Sequence, residues 1–150
     1  MLPRLKVLFL CTGNSCRSQM AEGWARHLRG DVIEAFSAGI EARGLDPRAV
    51  QIMAEAGVDI SAQRSKRVDE LRDVTFDFVV TVCAHTNENC PVFPSKAIVM
   101  HVPFEDPPQL AADAGSEEES LKHYRRVRDE IRTFVMRLPQ VLTNRDVTRR

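Results

Sequence analysis

This 150-residue chain has no excess of charge of either sign: 21 lysines and arginines balance 21 aspartates and glutamates, for a formal net charge of zero. Its overall charge therefore points neither to nucleic acid nor to an anionic membrane. No apolar run approaches the roughly 20 residues of a membrane span, and no signal-peptide pattern precedes the first apolar segment. Internal repeats, low-complexity tracts and linkers are also missing. What remains is the expectation of a single domain over 1–150, located in the cytoplasm. Hydrophobic content of 43% and charged content of 28% are ordinary for a globular protein long enough to bury a core.

The cysteines are few, but they are placed pointedly. Cys11, Cys16, Cys83 and Cys90 could suggest a disulfide framework in a small secreted chain. In the reducing compartment expected here, thiols are more often reactive, metal-bound or simply buried. The cysteines thus call for chemistry rather than staples.

Apolar patterning supplies the frame. The near-continuous apolar run 4–11, "RLKVLFLC", reads as a strand covered on both faces. Met20, Trp24 and Leu28 mark one stripe of a helix over 18–30, and 31–39 reads as a second strand. Asp46 as N-cap, Pro47 at the first helical position and Gly57 as the stop delimit another helix. A short helix is expected over 65–74, and strands over 76–83 and 96–103. The segment 84–94 has no clean period, and 104–115 reads as a loop. Ser116 with Glu119 opens a long helix whose face runs through Leu121, Tyr124, Val127, Ile131, Phe134 and Leu138. Residues 139–150 are expected as a loose tail. Alternating strands and helices predict an α/β domain of three layers, a four-stranded parallel sheet with helices on both faces. Ligands of such sheets bind beyond the carboxyl ends of the strands, where Cys11 and Cys83 both fall.

The stretch "CTGNSCRS", 11–18, joins the first strand to the first helix. Backbone N–H groups at such a junction can converge on an anion, and the helix dipole adds to their pull. Thr12, Gly13, Asn14, Ser15, Cys16 and Arg17 are therefore the expected oxyanion cradle. Gly13 and Asn14 tolerate the left-handed backbone a curl needs, and Arg17 can fork two hydrogen bonds to a tetrahedral oxyanion. The same positive field favours Cys11 as a thiolate, and Ser18 is near enough to donate to its sulfur. A buried core thiol beside a plain turn is the bland alternative. A nucleotide-binding loop fits less well, since no Lys follows the single glycine.

With those residues in view, "CTGNSCRS" resembles the phosphate-binding signature of the low-molecular-weight protein tyrosine phosphatase superfamily. "EDPP" then resembles that family's late Asp-Pro, which implies Asp106 as general acid. "TVCAHTNENCPVFP" adds Cys83 and Cys90, and together with "SQMAEGWA", "SAGIEARGLDP" and "RVRDEI" it is similar to the thioredoxin-coupled arsenate reductases of the same fold. That resemblance covers about Leu5 to Leu138. It implies reduction of arsenate to arsenite, as in arsenic detoxification. Cys11 would be the nucleophile, followed by a Cys11–Cys83 and then a Cys83–Cys90 disulfide. It also implies no bound cofactor, thioredoxin as the external reductant, and a weak phosphatase side activity. A monomer is expected.

Some members of the family hold a potassium ion behind the loop, and the matching positions here are Asn14, Glu22, Ser37 and Lys66. Lys66 stands where an acidic residue belongs, so its ammonium is expected either to replace the cation and pair with Glu22 or to lie on the surface. Otherwise no metal is expected: Cys83, His85 and Cys90 lack an evident fourth ligand. A small phosphatase acting on phosphotyrosine or small phosphoesters, and an oxyanion-binding or redox-sensing module, remain the competing readings. Cys16 is expected to pack structurally.

Overall fold

The most apolar segment of the chain lies at the centre of its sheet. A computed structural model describes residues 3–83 and 96–143, and four strands run through them: β1 (Leu5–Cys11), β2 (Ile33–Gly39), β3 (Phe78–Thr81) and β4 (Ile98–His101). All pairings are parallel, in the order β2-β1-β3-β4, with Val7 opposite Ala35 on one side and Phe78 on the other. The expected four-stranded parallel sheet is thus present. β1 is interior and flanked on both edges, which is why it reads as an unbroken apolar run rather than an alternating one.

Alternation reappears once the two faces are separated. Val7, Phe9 and Cys11 point into one core, and Leu8 and Leu10 into the other. The first core receives α1 (Arg17–Arg29), α2 (Pro47–Glu55), α3 (Pro107–Ala111), α4 (Glu117–Met136) and α5 (Gln140–Thr143). On the second face, among the described residues, the cover is a 3-10 turn at Val68–Leu71 and the chain that follows it.

Several helix signals act as expected. Asp46 accepts a hydrogen bond from Arg48 N at 2.9 Å, with Pro47 in the first turn. Ser116 accepts from Glu119 N at 3.2 Å to start α4. Leu121, Tyr124, Val127 and Ile131 are buried along that helix, as expected. Val135, not Phe134, completes the stripe, and Phe134 turns half-buried to meet Phe104 edge-on at 6.3 Å.

Three expectations are corrected. The helix expected over 65–74 is only the 3-10 turn, because Val68, Leu71 and Val74 recur every three residues and all serve the second core. The loop expected over 104–115 contains α3, which Asp106 and Pro107 start as N-cap and preset first residue. The tail expected after Pro139 begins with α5, whose Leu142 is fully buried. Arg29 from α1 donates to Leu138 O at 2.8 Å just ahead of it.

Candidate active site

The junction from β1 to α1 is built to leave its amides free. Four successive carbonyls of the loop are bonded outward. Thr12 O accepts from Glu41 N, Gly13 O from Arg43 N and Ser15 O from Asp46 N, each at 3.0 Å. Asn14 O accepts from Gln19 Nε2 at 3.1 Å. In a trans peptide the C=O of one residue and the N–H of the next point in opposite directions. With the carbonyls drawn outward, the N–H groups of Gly13, Asn14, Ser15 and Cys16 turn inward, and none has a partner among the described residues. They form a concave array of donors suited to an anion.

The start of α1 adds to that array. Cys16 at its N-cap supplies no side-chain bond, and its first turn holds no acidic residue. Helices α2 and α4, by contrast, are capped by Asp46 and Ser116. An α1 terminus with neither cap nor carboxylate keeps its donors and dipole for an external group.

Side chains lock the curl from behind. Asn14 is fully buried with φ 49°, a left-handed conformation that asparagine tolerates. Gly13, expected to share it, has no positive φ; its requirement is space, because the Arg43 side chain lies against it. Asn14 Nδ2 donates to Ser18 Oγ at 2.8 Å, and Asn14 Oδ1 accepts from Gln19 Nε2 at 3.0 Å and Lys66 N at 2.8 Å. Gly39 lies under the loop, where a Cβ would come within 2.7 Å of Thr12 O and 2.9 Å of Asn14 N. Gln19 was not singled out from sequence. A glutamine in the first turn of a helix that buries its polar side was the available signal.

Cys11 ends β1 at 3% exposure, its Sγ 3.0 Å from Ser18 Oγ. Since Asn14 already donates to that oxygen, the serine proton is the one directed at the sulfur. Arg17, 4% exposed, donates Nη1 to Phe104 O at 3.1 Å and places Nη2 3.6 Å from Asp106 Oδ1. Asp106 stands at the N-cap of α3 without bonding that helix's amides, so its carboxylate faces the loop instead. Cys11, Thr12, Gly13, Ser15, Cys16, Arg17, Arg43, Asp106 and Pro108 enclose a pocket of about 170 Å³.

Cys83 follows β3, two residues past Thr81, and is fully buried. Because β1 and β3 are adjacent, with Leu10 opposite Thr81 and Val82 N bonded to Leu10 O, Cys11 and Cys83 leave the sheet side by side. Thr12 Oγ1 lies 4.0 Å from Cys83 Sγ. Cys11, Cys16 and Cys83 form no disulfide among the described residues. Cys90 and His85 lie outside the described residues. Cys16 is 2% exposed, and burial, helped by Asp46 and Asp106, pushes its thiol well up. It stays protonated and packed.

Behind the loop, Ser37 Oγ donates to Glu22 Oε1 at 2.6 Å, and Glu22 is 5% exposed. The expected Lys66–Glu22 ion pair is not what forms. Arg26, one helical turn on, takes Glu22, while Lys66 Nζ donates to Arg64 O at 2.8 Å. Spacing decides this: an i,i+4 pair on one helix closes more readily than one spanning two segments. Lys66 still borders the same cavity as Glu22 and Arg26, of about 350 Å³. There burial lowers its ammonium pKa, and Glu22 opposes that effect.

Sheet order, loop and facing acid together define a small cysteine-based oxyanion enzyme fold. The family model described as low molecular weight phosphotyrosine protein phosphatase matches residues 6–147, and the chain belongs to that family. Within it, the arsenate reductases of Halalkalibacterium halodurans and Bacillus subtilis are each 50% identical to this chain over 125 residues, covering 83% of this chain and 88% of theirs. Among solved structures, an arsenate reductase from Archaeoglobus fulgidus is 35% identical with a TM-score of 0.69, covering 88% of this chain and 97% of its own. A thioredoxin-dependent arsenate reductase of Corynebacterium glutamicum gives a TM-score of 0.57 at 28% identity, over 88% of this chain and 60% of that one.

Proposed function

We propose that the protein reduces arsenate to arsenite through a relay of three thiols, with thioredoxin as the electron donor and no bound cofactor. The observation that carries this reading is the position of Cys83. A buried thiol beside the nucleophile, on the neighbouring strand end, is superfluous to phosphate ester hydrolysis but serves a two-electron reduction. Relatives named arsenate reductase at 50% identity support it.

In this reading the loop amides and Arg17 hold arsenate, and Cys11 Sγ attacks arsenic. A Cys11 S–As bond forms as an arsenate As–OH bond breaks, and that hydroxyl leaves as water after taking a proton from Asp106. Cys83 sulfur then attacks Cys11 sulfur. The S–S bond forms, the S–As bond breaks, and its electron pair stays with arsenic, which passes from the +5 to the +3 state and leaves as arsenite. Cys90 next attacks Cys83, releasing Cys11 as a thiolate and moving the disulfide to Cys83–Cys90. A thioredoxin dithiol reduces that bridge by the same exchange chemistry. The relay needs a reducing compartment, so the protein acts in the cytoplasm, and a monomer suffices because all three thiols belong to one chain.

The test is arsenate-dependent NADPH oxidation in the presence of thioredoxin and its reductase, alongside hydrolysis of an aryl phosphate. Sustained arsenate-dependent oxidation with only slow hydrolysis is expected. Brisk hydrolysis without arsenate-dependent oxidation would make the protein a phosphatase.

A further inference from the structure

The oxyanion pocket has two arginines, and only one is committed to its interior. Arg17 is buried and bonded to Phe104 O and Asp106. Yet an arriving oxyanion brings negative charge of its own, and a single guanidinium already bonded to Phe104 O and facing Asp106 leaves the pocket mouth short of positive charge.

Arg43 borders the same pocket from outside. It sits on the segment after β2 that clamps the loop, its own N–H donating to Gly13 O at 3.0 Å. Its stem lies over Gly13, where a Cβ would meet Arg43 Cδ at 2.7 Å and Cγ at 3.1 Å. Those methylenes are therefore held in place. The head is not: the side chain is 60% exposed, and Nε donates at 2.6 Å to Glu41 Oε2, on a side chain itself 56% exposed. Such a pair is weak and screened by salt, so the guanidinium can exchange Glu41 for an anion at the mouth while its stem stays put.

We propose that Arg43 is the capture residue of this site: it draws a tetrahedral oxyanion from solvent to the pocket mouth, with Glu41 as its resting counter-ion, and Arg17 and the loop amides take the anion from there. The proposal deepens the oxyanion reading above and rests on it. Arg43 does not enter the chemistry, because the contact to Asp106 belongs to Arg17 and the stem of Arg43 rests on Gly13 rather than on Cys11. Its contribution should appear in binding and in salt dependence, not in turnover.

The variant to make is Arg43→Met, which keeps an unbranched stem over Gly13 and removes the charge; Arg43→Lys restores the charge. Binding of inorganic phosphate by calorimetry and steady-state arsenate reduction would both be measured at low and at high ionic strength. At low salt, Arg43→Met should weaken phosphate binding and raise KM for arsenate roughly five- to twentyfold, with kcat within about twofold. The difference should shrink at high salt, and Arg43→Lys should recover most of it. An Arg43→Met protein matching the native one in Kd, KM and salt response would overturn the proposal. So would a fall in kcat at unchanged KM, or a defect insensitive to salt that lysine does not repair, which would make Arg43 a structural cover for Gly13. Should the native protein bind phosphate but fail to reduce arsenate, the reductase reading fails, while the phosphate Kd still decides the role of Arg43.

Discussion

Cys11→Ser should abolish arsenate reduction, lowering kcat by about four orders of magnitude or more while leaving the oxyanion site assembled. The substitution is nearly isosteric, and Ser18, 3.0 Å from the sulfur, can bond an oxygen as well as a thiolate. The buried hydroxyl therefore keeps a partner, and stability should change by no more than about 1 kcal/mol. What disappears is reactivity. A serine hydroxyl without a neighbouring base is a poor nucleophile at neutral pH, and its oxygen cannot be taken up into a disulfide. Phosphate affinity by calorimetry should stay within a few-fold of native, since the donors come from backbone amides and Arg17. A Cys11→Ser protein that keeps more than about a hundredth of native activity would place the nucleophile elsewhere.

Arg17→Lys should be nearly as damaging, with a loss of about a hundred- to a thousandfold in kcat/KM. Both residues carry one positive charge, so a purely electrostatic role would predict little change. The guanidinium here has three tasks at once. One arm reaches Phe104 O, the other faces Asp106 Oδ1 at 3.6 Å, and the remaining donors can fork onto two oxygens of the substrate. A point-like ammonium without the planar fork cannot do all three. At 4% exposure the site also denies it water in compensation. Steady-state kinetics beside a thermal melt would separate the two contributions. A lysine variant within tenfold of native would show that charge alone matters.

The oxyanion loop was legible because its signals are local. A buried strand, a turn with Asn14 and a helix opened by Arg17 and Ser18 follow one another within eight residues, and the chain arranges them as read. Strand adjacency was not legible in the same way. That Cys11 and Cys83 end side by side depends on β1 pairing with β3, whose partners lie 71 residues apart in sequence, a contact that no local pattern encodes. The errors share a physical cause. The short helix expected over 65–74 is a 3-10 turn, because the apolar residues there recur every three residues. In "EDPP" the expected acid loop also starts α3, with Asp106 at its N-cap. The loose tail expected after Pro139 instead begins with α5, whose Leu142 is fully buried in the first core. Behind the loop, charge matching suggested Lys66 for Glu22, while helical geometry gave that carboxylate to Arg26. Short-range sequence pattern thus gives the cradle, and the packing that supports it has to be seen.

The central claim is that the oxidation passes from Cys11 to Cys83 and then to Cys90, electrons running the opposite way toward arsenic, and one comparison tests it directly. The native protein and Cys90→Ser would each be supplied with arsenate, thioredoxin, its reductase and NADPH, and the arsenite formed per chain counted. The relay predicts many turnovers for the native protein. For Cys90→Ser it predicts about one arsenite per chain, after which the Cys11–Cys83 disulfide stays trapped. Continued turnover by Cys90→Ser at the native rate would contradict the account.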